Sequence, residues 1–124
     1  MWVYHNQNPL KREVNDCVIR SISLAQNKSW NQVYDELSEY AKKEATLLDD
    51  VTFVEQYLND RYNKVCYRCN KCKTTLKEFI DTHKQGVYLV TMKGHITCVI
   101  DGVLYDTWDC RDKLIWCAWE IKKG

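Results

Sequence analysis

The chain carries almost no excess of charge. Its 18 Lys and Arg stand against 17 Asp and Glu, a formal net charge of +1. That balance gives no electrostatic basis for nucleic acid as the main partner. No apolar run approaches the roughly 20 residues that cross a bilayer, so no membrane partner is expected. Proline and glycine are scarce, one and four among 124 residues. No repeat, low-complexity tract or interdomain linker interrupts them, and a single domain over residues 1–124 is expected. The opening Met1-Trp2-Val3-Tyr4-His5-Asn6-Gln7-Asn8 has neither a basic n-region nor an apolar h-region, so no signal peptide is expected. Cysteine is not in short supply. There are seven, an odd number, and without export they are expected to be reduced thiols in a bacterial or host-cell cytoplasm.

What is present favours a folded core. Apolar residues make up 45%, with five Trp and eight Tyr, enough for one globular domain and against a disordered tail. Trp2-Val3-Tyr4 fits a short edge strand. Residues 5–14, with the only proline at Pro9, read as an irregular lead-in. Val18, Ile22 and Ala25 recur at helical spacing after Asn15-Asp16, either of which suits an N-cap, and Asn27 suits a left-handed helix end. A second helix follows Ser29, with Trp30, Val33, Leu37 and Ala41 as its apolar stripe. Asp49-Asp50 can cap a third, carrying Val51, Val54 and Leu58. Thr75 with Glu78 forms a capping box for a short fourth helix.

After Gly86 the pattern turns to strand. Val87–Thr91, 95–100, 103–108 and Leu114–Trp119 are rich in branched and aromatic residues, and Asp101-Gly102 is a strong hairpin signal. Helices first and a small antiparallel sheet last predict an α+β fold.

The hairpin permits a geometric test. If Asp101 and Gly102 are the loop, paired positions sum to 203, and His95, Thr97, Asp106 and Trp108 share one face. His95 and Asp106 are then diagonal neighbours within side-chain reach, while Asp109 points to the other face. Cys17 stands at the first turn of its helix. There the helix dipole and a nearby imidazole can lower a thiol's pKa from about 8.5 to roughly 3.5–7.5. A thiol, an imidazole and a carboxylate in that chain order suit nucleophilic acyl transfer: His takes the thiol proton, and the carboxylate fixes the ring.

Asn15-Asp16-Cys17-x-x-Arg20, then Gly94-His95 on one strand and Tyr105-Asp106-Thr107-Trp108-Asp109 on the next, resembles the papain-like cysteine peptidase superfamily. The likeness is to its small members encoded by bacteria and their phages. It covers nearly the whole chain in element order, with sharp motifs only at 15–20, 94–97 and 101–109. The resemblance implies a papain-like fold, with Cys17 as nucleophile, His95 as base and Asp106 as orienting residue. Papain uses Asn in the third role. Asp is similar to bacteriocin-processing peptidases, transglutaminases and arylamine acetyltransferases, which leaves hydrolysis and acyl transfer both open. The family places a Gln or Asn five or six residues before the nucleophile as oxyanion donor, but here Arg12 and Lys11 stand there. Asn8 and Asn15 are the oxyanion candidates, beside the Cys17 backbone amide.

Cys66-x2-Cys69-x2-Cys72 has metal-ligand spacing but supplies three ligands, and structural zinc takes four. His83, Cys98, Cys110 or Cys117 could complete the set. The expected function is a thiol-dependent hydrolase of a peptide, isopeptide or other amide bond in a peptide or protein substrate. No cofactor is expected to be required for catalysis, and the cysteine spacing allows a structural zinc; an iron–sulfur cluster would also want a fourth cysteine. The competing readings are a zinc-binding interaction module, an inert papain-like scaffold or effector, and an acyltransferase.

Overall fold

The computed structural model of the chain describes residues 1–66 and 73–121. In chain order these form β1 (Trp2–Tyr4), α1 (Cys17–Gln26), α2 (Trp30–Lys43), α3 (Val51–Arg61), β2 (Asn63–Cys66), α4 (Leu76–Thr82), β3 (Val87–Met92), β4 (His95–Ile100), β5 (Val103–Asp106) and β6 (Ile115–Ile121). The fold is α+β, four helices on a six-stranded mixed sheet of order β1-β5-β4-β3-β6-β2.

Helix boundaries follow local chemistry. Ser29 accepts from the Gln32 amide, Asp50 from the Phe53 amide, and Thr75 and Glu78 close a full capping box. Asn27 ends α1 in the left-handed region at φ 56° and ψ 46°. Its amide and that of Lys28 satisfy the carbonyls of Leu24 and Ser23. Asp16 occupies the N-cap position of α1 but makes no capping bond there. Its carboxylate is drawn instead to three side chains described below.

The β4–β5 hairpin turns at Asp101 and Gly102 with φ 48° and 79°, positive at both central residues as a type I′ turn requires. The register is Ile100↔Val103, Val99↔Leu104 and Cys98↔Tyr105, the pairing expected from the turn. β3 lies in the middle of the sheet between β4 and β6, and all six of its residues are buried.

Alternation along the strands feeds two cores. Val87, Leu89, Ile96, Cys98 and Trp119 pack with Ile22, Leu37, Tyr57 and Leu58 of α1, α2 and α3. Tyr88, Val90, Val99 and Leu104 pack with Leu76, Phe79 and Ile80 of α4. The sheet is therefore sandwiched between three helices and one.

Two features depart from the helices-then-antiparallel-sheet expectation. β1 precedes every helix and β2 falls between α3 and α4, so strands are not confined to the last third. β1 also pairs in parallel with β5, which makes the sheet mixed. The physical reason is length and distance. The four residues of β2 are too few to show alternation, and although Trp2–Tyr4 is the edge strand expected, its pairing with Leu104 is a contact that no local pattern encodes.

Candidate active site

The start of α1 lies against β4, and the end of the β4–β5 hairpin completes the site. His95 opens β4 and Asp106 closes β5. His95 Nε2 lies 2.6 Å from Asp106 Oδ2, with the His95 side chain 9% exposed and the Asp106 side chain 3%. The Cys17 thiol lies beside the same imidazole and the Ile96 backbone on one cavity, close enough for both to lower its pKa. The structure thus brings Cys17, His95 and Asp106 together. Trp108 lies against His95, ring centroids 5.0 Å apart, on the face that strand parity assigns to it.

Asp106 is held on both oxygens. Oδ2 accepts from Thr97 Oγ1 at 2.6 Å as well as facing His95. Oδ1 accepts from the Thr107 amide at 2.7 Å and from Arg20 Nη1 at 3.1 Å. Such a carboxylate cannot turn away from the ring. Asp109, by contrast, is a surface residue paired with Arg111, Nη2 to Oδ2 2.8 Å.

Arg20 joins the two motifs. Its Nε donates to Asp16 Oδ1 at 2.7 Å while its Nη1 reaches Asp106. Asp16 Oδ2 also accepts from Trp30 Nε1 at 2.9 Å and from Asn8 Nδ2 at 3.1 Å. The residues flanking Cys17 in sequence are therefore a brace. They tie the lead-in, α1, α2 and the catalytic-type carboxylate to one another.

The electrostatics follow from these contacts. Burial raises the Cys17 thiol, but the bonds from His95 and the Ile96 amide outweigh it, so the thiol lies below its ordinary value. Burial opposes charge on His95 too. Bonds to Asp106, Cys110 and Cys17 overcome it and raise the imidazole from 6.5 to about 11. Asp106 is likewise penalised by burial yet held low by His95 and Thr97. The shifts of all three groups run toward a thiolate beside an imidazolium, backed by a carboxylate.

The oxyanion candidates separate. The Asn8 side chain is committed: Nδ2 to Asp16, and Oδ1 accepting from the Leu10 amide at 2.9 Å. Asn15 is exposed and lines a cavity of about 220 Å³ together with Cys17, His95, Val18, Val54 and Trp116. Gln7, which sequence spacing did not single out, lines a small cleft with Cys17, Arg20 and Thr97; its Oε1 meets His5 at 2.7 Å and one N–H of its amide makes a long 3.4 Å contact to the Lys28 carbonyl, leaving the second N–H available. Its offset of ten residues from Cys17 hid it, and only the looped lead-in carries it back. The uncapped first turn of α1 also leaves backbone N–H groups unused by any side-chain cap beside the thiol.

Of the proposed zinc ligands, Cys69 and Cys72 lie outside the described residues. Cys66 is half-buried on β2, its thiol pushed up by burial and by nearby Cys117. His83 stacks on Phe79 with centroids 4.0 Å apart. Cys98 is fully buried and its thiol is pushed well up by burial. Cys110 is the surprise. It is fully buried in the loop after β5, with its sulfur within 4.8 Å of a His95 ring nitrogen. Loop position gave no sequence signal for that placement. No family model, curated protein or solved structure matches the chain.

Proposed function

We propose that the chain is a thiol-dependent hydrolase of a peptide, isopeptide or other amide bond, on a papain-like scaffold. The observation that carries this reading is one imidazole set between both partners: Nε2 at 2.6 Å from Asp106, and the ring beside the Cys17 thiol, whose pKa it lowers. With Nε2 engaged by the carboxylate, the other ring nitrogen is left for the thiol proton.

In this mechanism the Cys17 thiolate attacks the amide carbonyl carbon, and the carbonyl oxygen becomes an oxyanion. The backbone N–H of Cys17 and a side-chain amide, from Asn15 or Gln7, stabilise that charge. The imidazolium gives its proton to the leaving nitrogen as the C–N bond breaks, leaving a thioester on Cys17. Water then enters, His95 takes its proton, and the carboxylic acid departs as the thiol is regenerated. An amine entering instead of water would make the same intermediate an acyl transfer. Asp106 stays ionised throughout, fixing the ring and balancing its charge.

The test is covalent trapping. A peptide ending in a vinyl methyl ester should add one equivalent to the protein at Cys17, and Cys17→Ser should take up none. Folded protein that is modified at other cysteines but not at Cys17 would overturn the assignment.

A further inference from the structure

Cys110 has no part in the acyl-transfer reading, yet its thiol sits at the triad. A ring nitrogen of His95, a carboxylate oxygen of Asp106 and the Cys110 sulfur all lie within 4.8 Å of one another. Imidazole, carboxylate and thiolate form the mixed donor set that zinc and similar thiophilic divalent cations take. Bonds of about 2.0–2.3 Å place tetrahedral ligands about 3.4 Å apart. His95 Nε2 and Asp106 Oδ2 lie 2.6 Å apart and all three atoms within 4.8 Å, so a cation between them would draw the Cys110 sulfur and the ring to their bonding distances. Thr97 Oγ1 at 2.6 Å from Asp106 Oδ2 supplies the second contact that orients a ligating carboxylate. Of the three, His95 lines the 220 Å³ cavity beside Cys17.

We propose that His95, Asp106 and Cys110 form a binding site for one thiophilic divalent cation, zinc by its donor set, and that loading it switches the thiol site off. Binding releases the Cys110 thiol proton and the proton shared by His95 and Asp106, and both go to solvent. The cation then holds the imidazole and the carboxylate that would otherwise serve Cys17, and water completes the coordination. The binding stands on the cluster geometry alone. The switching rests on the reading of Cys17 as nucleophile.

The experiment separates the two. Co2+ is titrated into reduced protein, and the thiolate-to-cobalt and visible d–d bands are read. In parallel, iodoacetamide labelling of Cys17 is timed with and without Zn2+. Each variant's result is the ratio of its two labelling rates. Wild type should show the tetrahedral cobalt spectrum and at least tenfold protection of Cys17 by stoichiometric Zn2+. Cys110→Ser, close in size to the native residue, and Cys110→Ala should lose the protection and the matching part of the cobalt absorption. Equal protection in wild type and both variants would place the metal elsewhere, at Cys66, Cys69 and Cys72 or on Cys17 itself, and overturn the site. So would a wild-type cobalt spectrum unchanged by either substitution. A Cys17 that does not label in metal-free protein would defeat the thiol reading, while the cobalt spectra would still decide the metal site.

Discussion

At the scale of single residues the site depends on a charge pair. The Cys17 thiol lies below its ordinary value, and His95 is raised to about 11. An ordinary thiol of pKa about 8.5 loses roughly tenfold in thiolate for each unit of acidification. Cys17, held below its ordinary value by His95, should lose less. Iodoacetamide at pH 6 should therefore modify Cys17 at least about tenfold faster than Cys98, Cys110 or Cys117, which are buried, and its rate should fall less steeply between pH 8 and 6 than that of an ordinary thiol. Peptide mapping by mass spectrometry reads this directly, and equal rates at Cys17 and Cys98 would contradict it. The diagonal pairing of His95 with Asp106 was legible in the sequence because a two-residue turn fixes strand parity. The role of Asp16 was not. A short acid before a helix reads as a cap, whereas its partners Asn8 and Trp30 lie 8 and 14 residues away and are invisible to a local rule.

At the scale of elements, the brace around Asp16 decides where α1 presents its first turn. Asp16→Ala removes the acceptor for Arg20, Trp30 and Asn8 at once, leaving buried donors unmatched. Breaking one partner out of a buried ion pair costs about 3–5 kcal/mol. Urea denaturation should show a loss in that range, with a smaller one for Asp16→Asn, which keeps a carbonyl acceptor. A change under about 1 kcal/mol, the scale of an exposed ion pair, would mean the brace carries no strain. Helices α2, α3 and α4 were readable from the sequence because Ser29, Asp50 and Thr75 each bond an amide of their own first turn. β2 was hidden, since Asn63–Cys66 is four residues long and opens a cysteine-rich stretch.

For the whole molecule, the sheet is the common wall of two cores, with β3 at its centre. Leu89, fully buried, faces α1, α2 and α3, whereas Val3 on the edge strand β1 is 38% exposed. Leu89→Ala should lower unfolding free energy by about 2–5 kcal/mol. Val3→Ala should stay near the ±0.5 kcal/mol of surface positions. Urea midpoints of the two variants compare them, and similar losses would contradict a sheet stabilised from its middle strand. The α+β class was legible because helical and strand periods occupy different stretches. The mixed sheet was not, because β1 joins β5 across about a hundred residues.

The most direct test of the Cys17-His95-Asp106 site is the Cys17 alkylation rate in two folded variants, Asp106→Ala and Asp109→Ala. Asp106 contacts His95 at 2.6 Å, while Asp109 pairs with Arg111 at the surface. Losing the orienting carboxylate leaves the ring without its tautomer or its aim, a loss of roughly ten-thousand-fold in serine proteases. Asp106→Ala should slow Cys17 labelling at pH 6 by orders of magnitude, with circular dichroism and melting showing a native fold, and Asp109→Ala should label as wild type does. A folded Asp106→Ala protein with unchanged Cys17 labelling, or an Asp109→Ala protein that loses it, would contradict the triad.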